Sequence, residues 1–178
     1  QKVNTKPIDW TNKVFVQPKL DGVRCIFTKD GAYSRNHKQF KNVDHLQDDL
    51  QDFFKKFPDI VLDGELYNHA LKQDFEKIIS LVRKQKPSEQ DRSEASNLVQ
   101  FHVYDVITEP NFTYEFRHNM LALQLPIVKS ITLIKNTVVE NLDEAKMLHD
   151  VHLAQGYEGS MLRLNAFYEQ KRSYNLQK

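Results

Sequence analysis

A chain of 178 residues, 40% hydrophobic and 28% charged, has the composition of a soluble globular protein and enough length for one substantial core. Lys and Arg (25) nearly balance Asp and Glu (24), so any polyanionic partner must be met by a local basic patch and not by bulk charge. One cysteine, Cys25, excludes a disulfide framework and fits a reducing compartment; no apolar run reaches membrane-spanning length and no secretory signal opens the chain.

Residues Gln1 to Asn12 are polar and read as an extended lead-in anchored by Trp10. Lys13 to Lys19 and Val23 to Lys29 read as two strands of a hairpin around Asp21-Gly22, and Asp30-Gly31 leads to a third short strand at Ala32 to Ser34. Val43, Leu46, Leu50, Phe53, Phe54 and Phe57 recur at helical spacing, and Pro58 ends that helix. Ile60 to Tyr67 reads as a strand interrupted by Asp63-Gly64, and Phe75, Ile78, Ile79 and Val82 mark a second helix. Lys84 to Asn97 keeps one apolar residue, Ala95, and is expected to be a solvated loop that orders on a partner.

Leu98 to Ile107 is the strongest strand. A helix at Tyr114 to Leu123 stops before Pro126, and Ile131 to Val139 is β-branched and extended. Asn141 with Glu144 caps a helix whose apolar face is Leu142, Ala145, Leu148 and Val151, ending near Gly156. Glu158 to Leu164 is a last strand. Hairpins mixed with scattered helices give an α+β fold with antiparallel sheets, not a doubly wound parallel sheet.

The chain has no phosphate-binding glycine loop of either common type and no serine elbow. His149 and His152 share a helical face but lack a third ligand at suitable spacing, so two solvated histidines are expected. What remains is polar residues at strand ends. Lys19 ends its strand before an Asp-Gly turn, and Arg24, brought back by that turn, would favour its neutral, nucleophilic form. Asp63-Gly64-Glu65, Tyr104-Asp105 and the Glu158-to-Arg163 run add carboxylates, an aromatic face and cations. Each alone reads as ordinary surface or core; together they suit nucleotidyl transfer to a lysine.

In order, these segments resemble the motifs of the covalent nucleotidyltransferases, the superfamily of ATP-dependent DNA ligases, RNA ligases and mRNA-capping enzymes. Lys19-Leu20-Asp21-Gly22-Val23-Arg24 resembles the first, and Ser34-Arg35-Asn36 the Ser-Arg element of DNA ligases. Asp63-Gly64-Glu65 resembles the third, Phe101 to Ile107 the aromatic motif, Glu158-Gly159-x-Met161-x-Arg163 the fourth, and Lys171-Arg172-Ser173 through Lys178 the start of the fifth. The resemblance implies an ATP-grasp-like nucleotidyltransferase domain over residues 1–178, with antiparallel sheets flanked by helices and truncated before an OB-fold barrel.

It further implies that Lys19 attacks the α-phosphate of ATP and holds AMP, which passes to a 5′-phosphate at a nick before a 3′-hydroxyl displaces it. Arg24 and Glu65 would contact the ribose side, Gln17 the base, Tyr104 would stack on adenine, and Arg163 and Lys178 would face the phosphates. Arg35 and Arg172 would contact nicked duplex DNA, and Glu158 with Glu65 would hold Mg²⁺ or Mn²⁺. Many DNA ligases carry glutamate where this chain has Gln17. The second lysine of the fifth motif would lie beyond Lys178, and the barrel that follows in the family is absent from the sequence. The implied setting is a monomer in a bacterial or phage-infected cytosol or in a viral or nuclear compartment, not secreted, in DNA replication, repair or recombination. RNA ligase and capping guanylyltransferase are the enzymatic alternatives; a short lead-in disfavours an NAD-dependent ligase. The alternative of another class is a non-catalytic nucleic-acid-binding module.

Overall fold

Side-chain alternation along the strands sorts an apolar face from a polar one. The computed structural model describes residues 7–170 and 175–178. Its strands are β1 (Val14–Lys19), β2 (Val23–Thr28), β3 (Gly31–Tyr33), β4 (Val61–Tyr67), β5 (Gln100–Ile107), β6 (Ile131–Leu133), β7 (Thr137–Val139), β8 (Gly159–Leu164) and β9 (Leu176–Gln177). Its helices are α1 (Asp44–Asp49), α2 (Gln51–Lys56), α3 (Phe75–Val82), α4 (Glu89–Leu98), α5 (Tyr114–Gln124) and α6 (Leu142–Ala154). One sheet runs β7-β1-β8-β9 and the other β3-β2-β4-β5-β6. Pairing among the described strands is antiparallel except between β5 and β6. The fold is therefore α+β with largely antiparallel sheets.

In the first sheet, Phe15 pairs with Arg163, Gln17 with Met161 and Lys19 with Gly159, so these residues share one face. Val14, Val16, Leu162 and Leu164 take the other face and pack with Val139, Ala145, Leu148 and Trp10. In the second sheet, Cys25, Phe27, Leu62, Leu66, Phe101, Val103 and Val106 join a larger core with Leu46, Leu50, Phe53, Phe54, Ile78 and Leu81. Arg24 pairs with Glu65, and Glu65 with His102, on its opposite, polar face. Contacts between Arg163 and Asp105 show that the two polar faces meet.

Several local expectations are corrected. β1 and β2 are not a hairpin: they lie in different sheets, and Asp21-Gly22 is a crossing between them. A Cβ on Gly22 would lie 2.5 Å from Glu65 Cγ and 2.6 Å from the Leu66 carbonyl oxygen, so only glycine lets this crossing run flush against β4. The helix expected over 43–57 is two, because the backbone turns at Leu50 (φ −93°, ψ 0°) while Leu46, Leu50, Phe53 and Phe54 stay buried. Ile131 to Val139 divides between β6 and β7, one in each sheet.

The segment expected to be a solvated loop contains α4, opened by a capping box: Asp91 N donates to Ser88 Oγ (3.2 Å) and Ser88 N to Asp91 Oδ2 (2.9 Å). The Ser-x-x-Asp spacing was the signal for it; the sparse apolar content masked it, since Ala95 is the only residue of α4 that is fully buried. Asn141 does cap α6, accepting from Glu144 N at 2.9 Å. The face α6 buries is Ala145 and His152, with Leu148 packed beside them, whereas Leu142 and Val151 are exposed. His152 is thus not solvated; its Nδ1 meets Ser160 Oγ at 2.8 Å, and His149 Nδ1 approaches the same oxygen at 3.3 Å.

Candidate nucleotide site

Lys19 closes β1 on the polar face, and the backbone N–H of Glu158 donates to its carbonyl at 3.1 Å. The Glu158 carboxylate contacts the Lys19 amine directly; the lysine side chain is 19% exposed and the glutamate 48%. Burial lowers the Lys19 pKa from the ordinary lysine value, and the charge of Lys178 pushes the same way, while Asp21 and Glu65 oppose it. The expected depressant, Arg24, is not the cause. Arg24 is held by Asp63 through two hydrogen bonds, at 3.0 and 2.8 Å. Burial works against the Arg24 charge, but the Asp63 hydrogen bonds and charge outweigh it and raise its pKa.

A β-bulge sets the opposite wall. Asp63 pairs with Asp105 but Gly64 with Val103, so Tyr104 is the extra residue on β5. Both Tyr104 and Asp105 then lie against Asp63. A Cβ on Gly64 would sit 2.5 Å from the His102 carbonyl oxygen and 2.6 Å from the Phe101 ring, so glycine is required where the bulged strand closes in. Tyr104 Oη donates to Glu65 Oε2 at 3.5 Å. Burial first, and then the Asp63 charge, push the Glu65 carboxyl up to about 7, against the pull of Arg24, Lys19 and Tyr104.

Arg163, expected to face the phosphates, is engaged by protein groups. Its Nε donates to Gln17 Oε1 (2.6 Å) and its Nη1 to Asp105 Oδ2 (3.1 Å), and its guanidinium lies 5.1 Å from the Tyr104 ring centroid and 5.0 Å from that of Tyr114. Gln17 in turn donates to Tyr114 Oη at 2.9 Å, so both ends of its amide are engaged by protein groups. The guanidinium thus lies against the Tyr104 ring, with Gln17 holding its Nε; its charge is matched by Asp105, which also takes a bidentate pair from Arg117 at 2.8 and 3.0 Å.

Asp63, Asp105 and Tyr168 take part although the sequence reading gave them no role of their own. Tyr168 Oη donates to Asp63 Oδ2 at 2.8 Å, completing the Arg24–Asp63 network from a segment with no local signal. Arg35 stands exposed on the loop after β3, where Lys38 N donates to Ser34 Oγ at 3.1 Å and His37 adopts φ 59°. Arg172 lies outside the described residues. Among the described residues no three His, Cys, Asp or Glu side chains converge as a metal cage. Glu158 and Glu65, two hard carboxylates beside Lys19, still fit Mg²⁺, which is commonly bound by one or two carboxylates, substrate phosphates and water.

The family model for the ATP dependent DNA ligase domain matches residues 5–178. A DNA ligase of African swine fever virus is 30% identical over 167 residues, covering 86% of this chain and 37% of the viral protein. The DNA ligase of Enterobacteria phage T4 is 26% identical over 211 residues, covering 92% of this chain and 43% of its own. This chain thus spans well under half the length of these relatives. A solved Lig E DNA ligase superposes with a TM-score of 0.74 at 22% identity, over 96% of this chain and 62% of that one. The bacteriophage T7 ATP-dependent DNA ligase in complex with ATP does so at 0.72 and 17%, over 93% and 61%. At such identities the two structures speak for the fold, and the family model for descent: the chain belongs to the ATP dependent DNA ligase domain family.

Proposed function

We propose that this domain carries the nucleotidyl-transfer chemistry of an ATP-dependent polynucleotide ligase acting on nicked duplex DNA. The observation that carries the reading is the partly buried Lys19 amine, held against Glu158 and within the electrostatic reach of Glu65. The amine reacts in its neutral form, which burial and the Lys178 charge favour. Its nitrogen forms a bond to the α-phosphorus of ATP as the bond to pyrophosphate breaks, leaving AMP on Lys19. The 5′-phosphate at the nick takes the AMP, and the 3′-hydroxyl then displaces it to close the backbone.

Tyr104 offers a ring for adenine, with the Arg163 guanidinium against it and Gln17, proposed to contact the base, holding that arginine. Arg24 and Glu65 are assigned the ribose contacts, with the Asp63 and Tyr168 network fixing the arginine. Glu158 and Glu65 would hold Mg²⁺, which supplies neutralisation of the nucleotide phosphates. Arg35, displayed on its tight loop, suits the phosphate of the nick, and Arg172 is assigned the same partner. We take the protein to act as a monomer in an intracellular setting, cytosolic or viral and nuclear.

The test is intact-mass spectrometry after separate incubation with ATP and GTP, each with Mg²⁺. The adenylate adduct should form and the guanylate should not. A guanylate adduct would reassign the domain to the capping enzymes. Absence of both adducts, with salt-dependent binding to nicked DNA retained, would make it a binding module.

A further inference from the structure

Outside the nucleotide residues, one cluster bridges the two sheets. β4 ends at Tyr67, and Asn68 caps the turn that follows, accepting from Ala70 N at 3.0 Å and donating to the Leu98 carbonyl at 2.9 Å. His69 is thereby set between two partners: its Nδ1 lies 2.7 Å from Tyr67 Oη and its Nε2 lies 3.0 Å from the Gln155 carbonyl oxygen. A carbonyl only accepts, so Nε2 carries the hydrogen, and the neutral ring accepts from the tyrosine hydroxyl at Nδ1. The ring stacks on Tyr157, centroids 4.3 Å apart and planes 27° apart. Lys72 Nζ donates to the same Gln155 carbonyl at 3.0 Å.

Gln155 ends α6, and Glu158 follows three residues later. Glu158 is half-exposed, so side-chain packing alone does not fix it; its backbone is tied to β1, where its N–H donates to the Lys19 carbonyl, and to the end of α6 through residues 155–157. We propose that His69 is a positioning residue for Glu158, a clamp from the five-stranded sheet that holds Gln155 and Tyr157 so that the Glu158 carboxylate meets the Lys19 amine. The proposal rests on the reading of Lys19 as the nucleophile. Small displacements in such a site lower rates steeply, which gives the clamp its value.

His69→Phe keeps a ring on Tyr157 but removes both hydrogen bonds. It should slow self-adenylation about tenfold. Without ATP or metal, a water-soluble acylating reagent should label Lys19 about threefold faster, because the carboxylate that covers the amine moves away from it. Lys55 and Lys146, exposed on α2 and α6, should label unchanged and serve as internal controls. His69→Gln, which can accept and donate, should recover most of both effects. Tyr67→Phe deletes a single oxygen and cannot collapse the fold; it should move both readouts the same way by a smaller factor. The proposal is overturned if Tyr67→Phe and His69→Phe both leave adenylation and Lys19 labelling within about twofold of the parent. It is also overturned if all lysines label faster together. If the parent takes up no AMP, the nucleophile reading fails, and Lys19 labelling alone then decides the clamp.

Discussion

The two sheets are built differently. The five-stranded sheet packs Phe27, Leu62, Leu66 and Phe101 against the aromatic and aliphatic faces of α1, α2 and α3. The four-stranded sheet rests on Val14, Val16, Val139 and Ala145, with partly buried neighbours. The heavier sheet carries Asp63, Glu65 and Tyr104, the wall proposed to receive a nucleotide. The lighter sheet carries Lys19 and Glu158. Less apolar burial means lower resistance to local opening, so the proposed nucleophile is on the half with the smaller core. Arg163 to Asp105 joins the two sheets directly, and His69 to Gln155 joins the end of β4 to the end of α6.

The sharpest test separates chemistry from structure. Lys19→Ala should abolish the AMP adduct altogether in intact-mass spectra while melting within about 1 kcal/mol of the parent; an undiminished adduct would move the nucleophile elsewhere. Next comes the weight of each core. Phe27→Ala should lower stability by about 3–5 kcal/mol in urea titrations, and Val16→Ala by about 1–2. Equal losses would break the comparison between the sheets.

Glu65 tests the polar face of the heavier sheet through pH. Its carboxyl titrates at about 7 when folded against an ordinary 4.5, so the folded chain holds this proton more tightly than the unfolded chain. Its contribution therefore falls as pH rises from about 4.5 through 7. Glu65→Gln should gain on the parent by roughly 2–3 kcal/mol across that window in urea titrations at successive pH values. A gap independent of pH would show that the carboxylate is solvated. Tyr104→Ala should weaken ATP binding by roughly 1–3 kcal/mol in calorimetry, and unchanged affinity would assign the ring to structure alone. The smallest effect belongs to the lighter sheet. Asn141→Ala should cost α6 about 1 kcal/mol, seen as faster amide exchange in its first turn, with the five-stranded sheet unaffected.

Much of this was legible in the residues. Lys19, Asp63 and Glu65 stood out as polar residues in or at the ends of predicted strands, and Asn141 with Glu144 marked a helix start. The Arg24 partner was not legible, because Asp63 lies 39 residues away on another strand. Nor was the bulge at Tyr104, which depends on how β4 and β5 align, or the contribution of Tyr168, which follows β8 in an irregular segment. α6 shows the same limit: its period was evident, but which stripe faced the sheet was set by β8, where Ser160 receives His152.

The amino-acid order by itself determined the residue types of the cleft, the two-residue period that sorts polar from apolar faces, and the helix caps, because these depend on neighbours within a few positions. Tertiary structure alone decided that Asp21-Gly22 crosses between sheets, that Arg163 supports a ring and that Arg24 binds Asp63. Strand pairing and ion-pair choice depend on which distant segments share the limited space of the interior, and no local spacing encodes that competition.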